Sequence, residues 1–145
     1  MPNRPIIKVI RNRDFTAVST GTSVRKAAQL MQRHRHGALL VVNADGQLVG
    51  ICTERDLAYK VLAGDLSADG TTVGEIMTAD PVTIGPEKPF GHALHLMFEG
   101  GFRHMPVVDA HQRPLGVVSA RDALGLEILH FREELQLREE IAEIL

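Results

Sequence analysis

Two short strings in this sequence combine residue types that can bind a sugar and a phosphate. Each has a glycine, two apolar residues, a hydroxyl residue and, three positions later, an aspartate, over Gly50 to Asp56 and Gly116 to Asp122. Arg55 and Arg121 stand immediately before the aspartates. An arginine and the N–H groups that begin a helix can bind phosphate, and a carboxylate can accept two hydrogen bonds from ribose hydroxyls. The pattern therefore favours a nucleotide site.

Helix capping accounts for part of the same pattern. Thr53 and Ser119 are good N-cap residues, and an aspartate three positions later suits the first turn of a helix. Capping does not explain why an arginine precedes the aspartate at both places. We expect both roles, capping and ligand binding, in the same residues.

The two strings belong to an internal repeat, in which residues of the second half follow their partners in the first by 66 positions. The same offset, without a gap, matches Ile10 with Ile76, Asp14 with Asp80, Ala27 with Ala93, Leu30 with Leu96, Met31 with Met97, Val41 with Val107 and Val42 with Val108. Chance does not keep one register over such a length, so the chain contains two related units.

Each unit is predicted to contain a short strand, a helix, two strands joined by a turn, and a second helix. The predicted hairpin strands are Ala38 to Val42 with Leu48 to Cys52, and His104 to Val108 with Leu115 to Val118. Helical spacing predicts core-facing stripes of Val24, Ala27, Ala28 and Met31, and of Phe90, Ala93, Leu94, Met97 and Phe98. The small, polar segment 63–70 is predicted to be the linker.

Beyond the second unit, a helical pattern continues to the end of the chain. Apolar residues keep a seven-residue rhythm at Leu124, Ile128, Phe131, Leu135, Ala142 and Leu145, interrupted only by Arg138. Such a seam is typical of a packing or oligomer surface, and the alternative is a surface for a separate effector protein. The sequence leaves both open.

Composition narrows the class of protein. With 145 residues, of which 44% are hydrophobic, one compact unit with a shared core is expected. A net charge of −2 predicts neither a nucleic-acid partner nor a membrane partner. The first 14 residues contain no signal-peptide core, which predicts a cytoplasmic location. Cys52, in an apolar run, is predicted to be a small buried thiol.

No catalytic or metal-binding constellation is visible. His92 and His95 are three residues apart on a predicted helix, but no carboxylate or cysteine is paired with them, so exposed helix histidines are expected. The sequence has no glycine-rich phosphate loop, nucleophile elbow or zinc-protease helix. We therefore predict no enzyme activity, no catalytic residues and no metal.

The two strings, with Val73 to Ile84 and Phe102 to Val108, resemble the cystathionine β-synthase (CBS) domain family over roughly residues 7 to 131. This resemblance implies an α/β fold of two β-α-β-β-α repeats packed with pseudo-twofold symmetry, called a Bateman module. The division that follows is CBS repeat 1 at 1–66, CBS repeat 2 at 67–131, and a C-terminal amphipathic helix extension at 132–145.

The resemblance also implies a regulatory adenine nucleotide in clefts between the repeats: AMP, ADP, ATP, or a related ligand such as NAD or S-adenosylmethionine. Thr53 and Asp56 would hold one ribose, and Ser119 and Asp122 the other. The residues expected to bind nucleotide are Thr16, Ala17, Thr53, Arg55, Asp56, Val82, Thr83, Arg103, His104, Met105, Pro106, Ser119, Arg121 and Asp122, with adenine near Thr16 and Ala17 or Val82 and Thr83.

The repeats differ at one functional position. Arg103 and His104, a basic pair often placed near phosphates in the family, correspond to Gly37 and Ala38 in the first repeat. We therefore expect unequal clefts. A basic cluster lies just upstream and could compensate, at Arg33, His34, Arg35 and His36, although a basic cluster that ends a helix is more often solvated.

Two hypotheses for the function follow. In the first, the chain is a homodimeric sensor that binds an adenosine ligand and passes its state to an unknown effector protein. In the second, the clefts are vestigial and the chain is a ligand-independent dimerisation or docking module. The presence of both aspartates and both hydroxyl residues favours the sensor.

Overall fold

The computed structural model describes residues 3–144, apart from the side chains of Leu126, Glu127 and Leu129. The first half contains α1 (Ile6–Ile10), β1 (Ala17–Ser19), α2 (Val24–His34), β2 (Ala38–Val42), β3 (Leu48–Thr53) and α3 (Glu54–Asp56), which continues as a π-helix over Leu57–Leu62. The second half contains α4 (Val73–Ile76), β4 (Thr78–Ala79), α5 (Phe90–Gly100), β5 (His104–Val108), β6 (Pro114–Ser119) and α6 (Arg121–Ile144).

The strands form two sheets with matching register. In the first sheet, ordered β1-β2-β3-β4, β1 is parallel to β2 and the other pairs are antiparallel. In the second, β5 and β6 are antiparallel, and a parallel bridge joins Ile84 to Val107. That bridge repeats the pairing of Val18 with Val41 at the 66-residue offset. The predicted α/β fold of two related repeats is confirmed, with the leading strand of the second reduced to one bridge.

The hydrophobic cores show that the repeats exchange their leading helices. Val73 and Ile76 of α4 pack in the core of the first repeat, although they precede the second. Ile6 and Ile10 of α1 pack in the core of the second repeat, beside Phe90. Burial of these side chains stabilises the arrangement in which each leading helix packs on the opposite repeat. Each half of the molecule is therefore completed by the other repeat's chain.

Backbone hydrogen bonds fix the exchanged helices. The Ile6 N–H donates to the Lys88 carbonyl at 2.9 Å, and the Phe90 N–H donates to the Arg4 carbonyl at 2.8 Å. In the other half, the Val24 N–H donates to the Thr71 carbonyl at 2.9 Å. These bonds pair backbone groups of one repeat with backbone groups of the other.

Two members of the predicted helix stripes do not face the core. Ala28 is exposed, and Phe98 has 88% of its surface exposed. The buried residues of α2 and α5 form single rows at spacings of three and four: Val24, Ala27 and Met31, and Phe90, Ala93 and Met97. The predicted buried stripes were wider than the observed ones. Each helix is covered on one side only, so the edge of its apolar stripe stays in solvent.

The predicted terminal helix is confirmed and is longer than the predicted extension, since α6 runs unbroken over Arg121–Ile144. Its apolar residues are open to solvent, with Leu124 at 61%, Phe131 at 60% and Leu135 at 43% exposed. Leu145, the last member of the predicted seam, lies outside the described residues. No helix within residues 3–144 combines the length and hydropathy required to cross a membrane.

Candidate functional site

Two clefts lie where the repeats meet. Cleft A has a volume of about 360 Å³ and cleft B about 1080 Å³. The lining of cleft A includes Thr53, Glu54, Arg55, Asp56, Asp80, Val82, Phe102, Arg103 and His104. The lining of cleft B includes Arg13, Asp14, Phe15, Arg35, His36, Gly37, Glu54, Arg103, His104, Ser119 and Arg121.

Each cleft joins the aspartate motif of one repeat to the leading segment of the other. In cleft A, Thr53 and Asp56 face Val82, which follows α4. In cleft B, Ser119 faces Phe15, which follows α1. The exchange of leading helices produces this arrangement, because the chain that leaves each exchanged helix passes the motif of the repeat on which that helix packs.

In cleft A, the aspartate is fully engaged by its own repeat. Asp56 Oδ2 accepts hydrogen bonds from the Thr53 N–H at 2.9 Å and the Thr53 hydroxyl at 3.2 Å. Its Oδ1 lies 3.0 Å from Lys60 Nζ, which also donates to the Ile76 carbonyl at 2.8 Å. The predicted capping role of Thr53 is confirmed. Lys60 was not predicted, although its i+4 spacing from Asp56 was visible.

In cleft B, the aspartate has a different partner. Asp122 Oδ2 accepts a hydrogen bond from the Ser119 N–H at 2.8 Å, and its Oδ1 lies 2.7 Å from Arg13 Nη1. Arg13 lines the cleft, as Ser119 does, while Asp122 lies behind them with 10% of its side chain exposed. Comparison of the two repeats could not predict a role for Arg13, because the matching position in the other half is Ala79.

A small polar group stands between the clefts and contributes to both. Glu54, Arg103 and His104 line cleft A and cleft B alike. Burial lowers the pKa of His104 below its ordinary value, and Arg103 lowers it further, against the opposing effects of Glu54 and Asp122. A Cβ atom on Gly37 would lie 3.2 Å from His104 Nε2, so the glycine leaves room for this imidazole.

The two clefts differ in charge. Cleft A holds Arg55 and Arg103 against three carboxylates, from Glu54, Asp56 and Asp80. Cleft B is lined by the four arginines 13, 35, 103 and 121 and by the carboxylates of residues 14 and 54, with the Asp122 carboxylate behind the lining and paired with Arg13. A larger volume with an excess of guanidinium groups suits a ligand with several phosphates.

Comparison with known sequences decides the family. The sequence model of the CBS domain matches this chain twice, over residues 7–63 and 73–128. The chain belongs to the CBS-domain family. The predicted resemblance is therefore confirmed, and the two matched segments are CBS repeats.

Similar proteins include a mitochondrial CBS domain-containing protein of Arabidopsis thaliana, CBSX3, which is 37% identical over 122 residues, covering 81% of this chain and 59% of that protein. A Methanopyrus kandleri protein is 32% identical over 120 residues, covering 83% of this chain and 61% of that protein, so the chain spans about three-fifths of the length of these two relatives.

A solved structure, the CBS domain pair of protein MJ0100 in complex with 5′-methylthioadenosine and S-adenosyl-L-methionine, matches with a TM-score of 0.77 and 30% identity, covering 86% of this chain and 96% of that one. A CBS-domain protein from Burkholderia ambifaria matches with a TM-score of 0.78 and 32% identity, covering 87% and 95%.

The remaining predicted residues of the CBS pair lie outside the linings of cleft A and cleft B. The Thr16 hydroxyl lies 3.0 Å from His36 Nδ1, and Ala17 pairs with Leu40 in the sheet. Thr83 is half-buried beside Val82. Their roles in binding stay predictions.

Met105 and Pro106 also belong to the predicted set, and both are buried in β5. Met105 is fully buried in the second core, and Pro106 is among the fully buried side chains. A ligand contact from either residue would therefore come from the backbone. Arg35 is exposed, as expected for its basic cluster, and it also lines cleft B beside the half-buried His36.

Other reactive side chains of the CBS pair are accounted for by packing or exposure. Cys52 is fully buried, and burial raises the pKa of its thiol to about 12, as expected for an inert core thiol. His92 and His95 are exposed, as predicted, and His95 Nε2 lies 3.6 Å from a Glu99 carboxylate oxygen. Within residues 3–144, no group of three or more histidine, cysteine or acidic side chains is arranged to hold a metal ion.

Proposed function

We propose that this CBS pair binds adenosine-derived ligands in cleft A and cleft B and transmits the bound state to an effector protein. The observation that carries the proposal is the convergence in each cleft of a hydroxyl, an arginine and a nearby aspartate with the leading segment of the other repeat. The related pair of protein MJ0100, in complex with S-adenosyl-L-methionine and 5′-methylthioadenosine, supports the ligand class.

The ligand would be bound through its ribose and its adenine. A carboxylate from Asp56 or Asp122 accepts hydrogen bonds from the ribose hydroxyls. The adenine lies against backbone near Val82 and Thr83 in cleft A, or near Thr16 and Ala17 in cleft B. Since these groups come from both repeats, a ligand in either cleft contacts both.

We assign different ligands to the two clefts. Cleft B, with four arginines against the carboxylates of residues 14 and 54 in its lining and of Asp122 behind it, favours ATP or ADP. Cleft A, with three carboxylates against two arginines, favours AMP or a ligand with little negative charge, such as S-adenosylmethionine. Coulomb attraction between guanidinium groups and phosphates is the physical reason.

Signalling would depend on the exchange of leading helices. Because α1 and α4 each pack on the opposite repeat, a ligand that draws one leading segment toward an aspartate changes how the two repeats sit together. Such a change couples ligand affinity to the affinity for a partner. The role is regulatory, without catalysis, and the cytoplasmic location stays a prediction.

The proposed assembly is a homodimer. Leu124, Ile128, Phe131 and Leu135 of α6 are between 43% and 61% exposed, and a contiguous apolar row of this kind is typical of an association surface. Light scattering at micromolar concentration should give twice 15.9 kDa, with and without nucleotide. A mass of one chain under both conditions would remove this part of the proposal.

The docking module without a ligand is the second candidate, and the same exposed row on α6 favours it. Thermal melting separates the two functions. A ligand that binds only the folded chain stabilises it by roughly 2.7 kcal/mol at a hundredfold excess over Kd. We expect at least one of AMP, ADP, ATP, NAD and S-adenosylmethionine to raise the melting temperature, and guanine and pyrimidine nucleotides to do much less.

The matched variant carries both Asp56→Asn and Asp122→Asn, which keep the side-chain shape and remove the charged acceptors. Its melting shift with each ligand, measured against its own ligand-free melt, should lose most of its size. If no adenosine ligand moves the native melt at millimolar concentration, the docking module is correct. If the double variant keeps the full shift, the ligand binds elsewhere.

A further inference from the structure

The carboxylate proposed to hold ribose in cleft B already has a cationic partner from the other repeat. Arg13 Nη1 lies 2.7 Å from Asp122 Oδ1, and Asp122 Oδ2 accepts the Ser119 N–H at 2.8 Å. Both oxygens of this carboxylate, which is 10% exposed, are therefore engaged. Ribose hydroxyls that approach Oδ1 therefore share it with the guanidinium group or displace that group.

Arg13 is held in position by the exchanged helix. The backbone N–H of Arg13 donates to the Ile10 carbonyl at 3.1 Å. The preceding residue, Asn12, has a φ of 61°. Ile10 is buried in the second core against Gly116, where an added Cβ would meet Ile10 Cδ1 at 3.0 Å. Close packing of α1 on this repeat thus delivers Arg13 to Asp122.

Cleft A has no counterpart of Arg13. The matching position is Ala79, which pairs with Gly50 in the first sheet and has no charge. The cation beside Asp56 is Lys60, from the same helix, and it is also hydrogen-bonded to the Ile76 carbonyl. The two side chains are similarly exposed, at 46% for Lys60 and 43% for Arg13, but Lys60 is also held by the Ile76 carbonyl and does not line cleft A, whereas Arg13 lines cleft B.

We propose that Arg13 determines ligand specificity in cleft B by changing partners, from the Asp122 carboxylate to a phosphate group of the ligand. The proposal rests on the function proposed above. When ribose hydroxyls take Asp122 Oδ1, the guanidinium group needs a new anion, and a ligand phosphate in the same cleft supplies it. An adenosine ligand without phosphate displaces Arg13 and leaves its charge unpaired, so it binds weakly.

Calorimetric titration of ATP and adenosine tests this exchange. The titrations use the full chain carrying Asp56→Asn, which weakens ligand binding in cleft A. This protein is compared with one that carries Arg13→Gln in addition. Losing one charge-assisted hydrogen bond should weaken the affinity for ATP by about tenfold or more. Adenosine should bind about threefold or more tightly, since it no longer competes with an ion pair of the kind measured at partly exposed sites. The affinities for the two ligands should therefore move in opposite directions.

Two further variants provide controls. Arg11→Gln removes the same charge from an exposed position two residues away and should change neither affinity. Arg13→Lys keeps the charge without the planar fork and should retain part of the preference for ATP. Equal weakening of both ligands by Arg13→Gln, or an unchanged ratio, overturns the proposal while leaving the function intact. If the native chain binds neither ATP nor adenosine, the role of Arg13 fails, and the proposed function fails with it only if none of AMP, ADP, NAD and S-adenosylmethionine raises the melting temperature.

Discussion

Cleft A and cleft B are built from the same repeated motif, and they differ in what surrounds its aspartate. Asp56 is paired with Lys60 of its own helix, and Asp122 with Arg13 from the opposite repeat. The Thr53 hydroxyl hydrogen-bonds to Asp56, whereas the Ser119 hydroxyl has no such bond within residues 3–144 and lines cleft B. The repeat thus sets where each carboxylate lies, and residues outside the repeat pattern set how available it is.

The contrast extends to electrostatics. Arg103 and His104 serve both clefts, but Arg13, Arg35 and Arg121 belong to cleft B alone. Duplicated units can therefore acquire different ligand preferences through a few charged residues at their edges, without any change in the fold that positions them.

The largest expected effect concerns the helix that carries Arg13. If α1 belongs to the second core, Ile6→Ala should destabilise the chain by about 2–5 kcal/mol, because it leaves a cavity at a side chain that is 0% exposed. Urea denaturation measures the loss. Ile7→Ala, on the same helix at a position 44% exposed, should cost less than about 1 kcal/mol.

Hydrogen exchange on the Ile6→Ala variant locates the change. Amide protection should fall first in α5, β5 and β6, around cleft B, and remain closer to native in β2 and β3. A uniform loss in both halves, or equal costs for the two isoleucine variants, would show that α1 does not support the second repeat selectively.

A smaller effect is expected from the basic pair between the clefts. Arg103→Ala should make the binding free energy of ATP and of AMP less favourable by about 1.5–3 kcal/mol, because a charge-assisted hydrogen bond to phosphate is lost. The binding of adenosine should change much less. Since Arg103 lines both clefts, the affinity for phosphorylated ligands should fall in each of them. Titration of the three ligands, with the exposed Arg113→Ala as control, measures the difference. Equal weakening of all three would indicate that Arg103 acts through folding.

The smallest effect is a pH dependence through His104, whose pKa is lowered by burial. A depressed pKa means that the neutral imidazole stabilises the fold fully above pH 6.5, and that this contribution is lost as the pH falls through the lowered value. Protonation also adds a positive charge near phosphate. From pH 7.5 to 5.5 we therefore expect lower stability without ligand but binding of phosphorylated ligands tighter by about threefold.

His104→Gln should abolish both trends, and comparing it with the native chain at each pH cancels the titration of the ligand's own phosphate. The pKa of His104 also responds to the charges around the imidazole, which come from Glu54, Arg103 and Asp122. Identical pH profiles for the two proteins would assign the trends to other groups.

The sequence predicted the fold well because repeated apolar residues specify repeated elements. The hairpins at 38–53 and 104–119, the long terminal helix and the capping role of Thr53 follow from local pattern and turn chemistry. The exposure of Phe98 did not follow, because spacing within a helix shows its apolar stripe but not how much of the stripe a neighbouring element covers.

The exchange of leading helices was also beyond local pattern. Nothing in the sequence of α1 distinguishes packing on its own repeat from packing on the other, since both cores offer similar apolar surfaces. Arg13 was missed for the same reason. Its role depends on a contact between residues 109 positions apart, which no repeat offset predicts.

The most direct test of the account is calorimetry on the single variants Asp56→Asn and Asp122→Asn with ATP and S-adenosylmethionine. We expect Asp122→Asn to weaken the binding of ATP by about tenfold or more and to leave the binding of S-adenosylmethionine unchanged, and Asp56→Asn to do the reverse. Each ligand is then assigned to its own cleft. If either variant weakens both ligands equally, or neither variant weakens any, the two clefts are not the unequal adenosine sites described above.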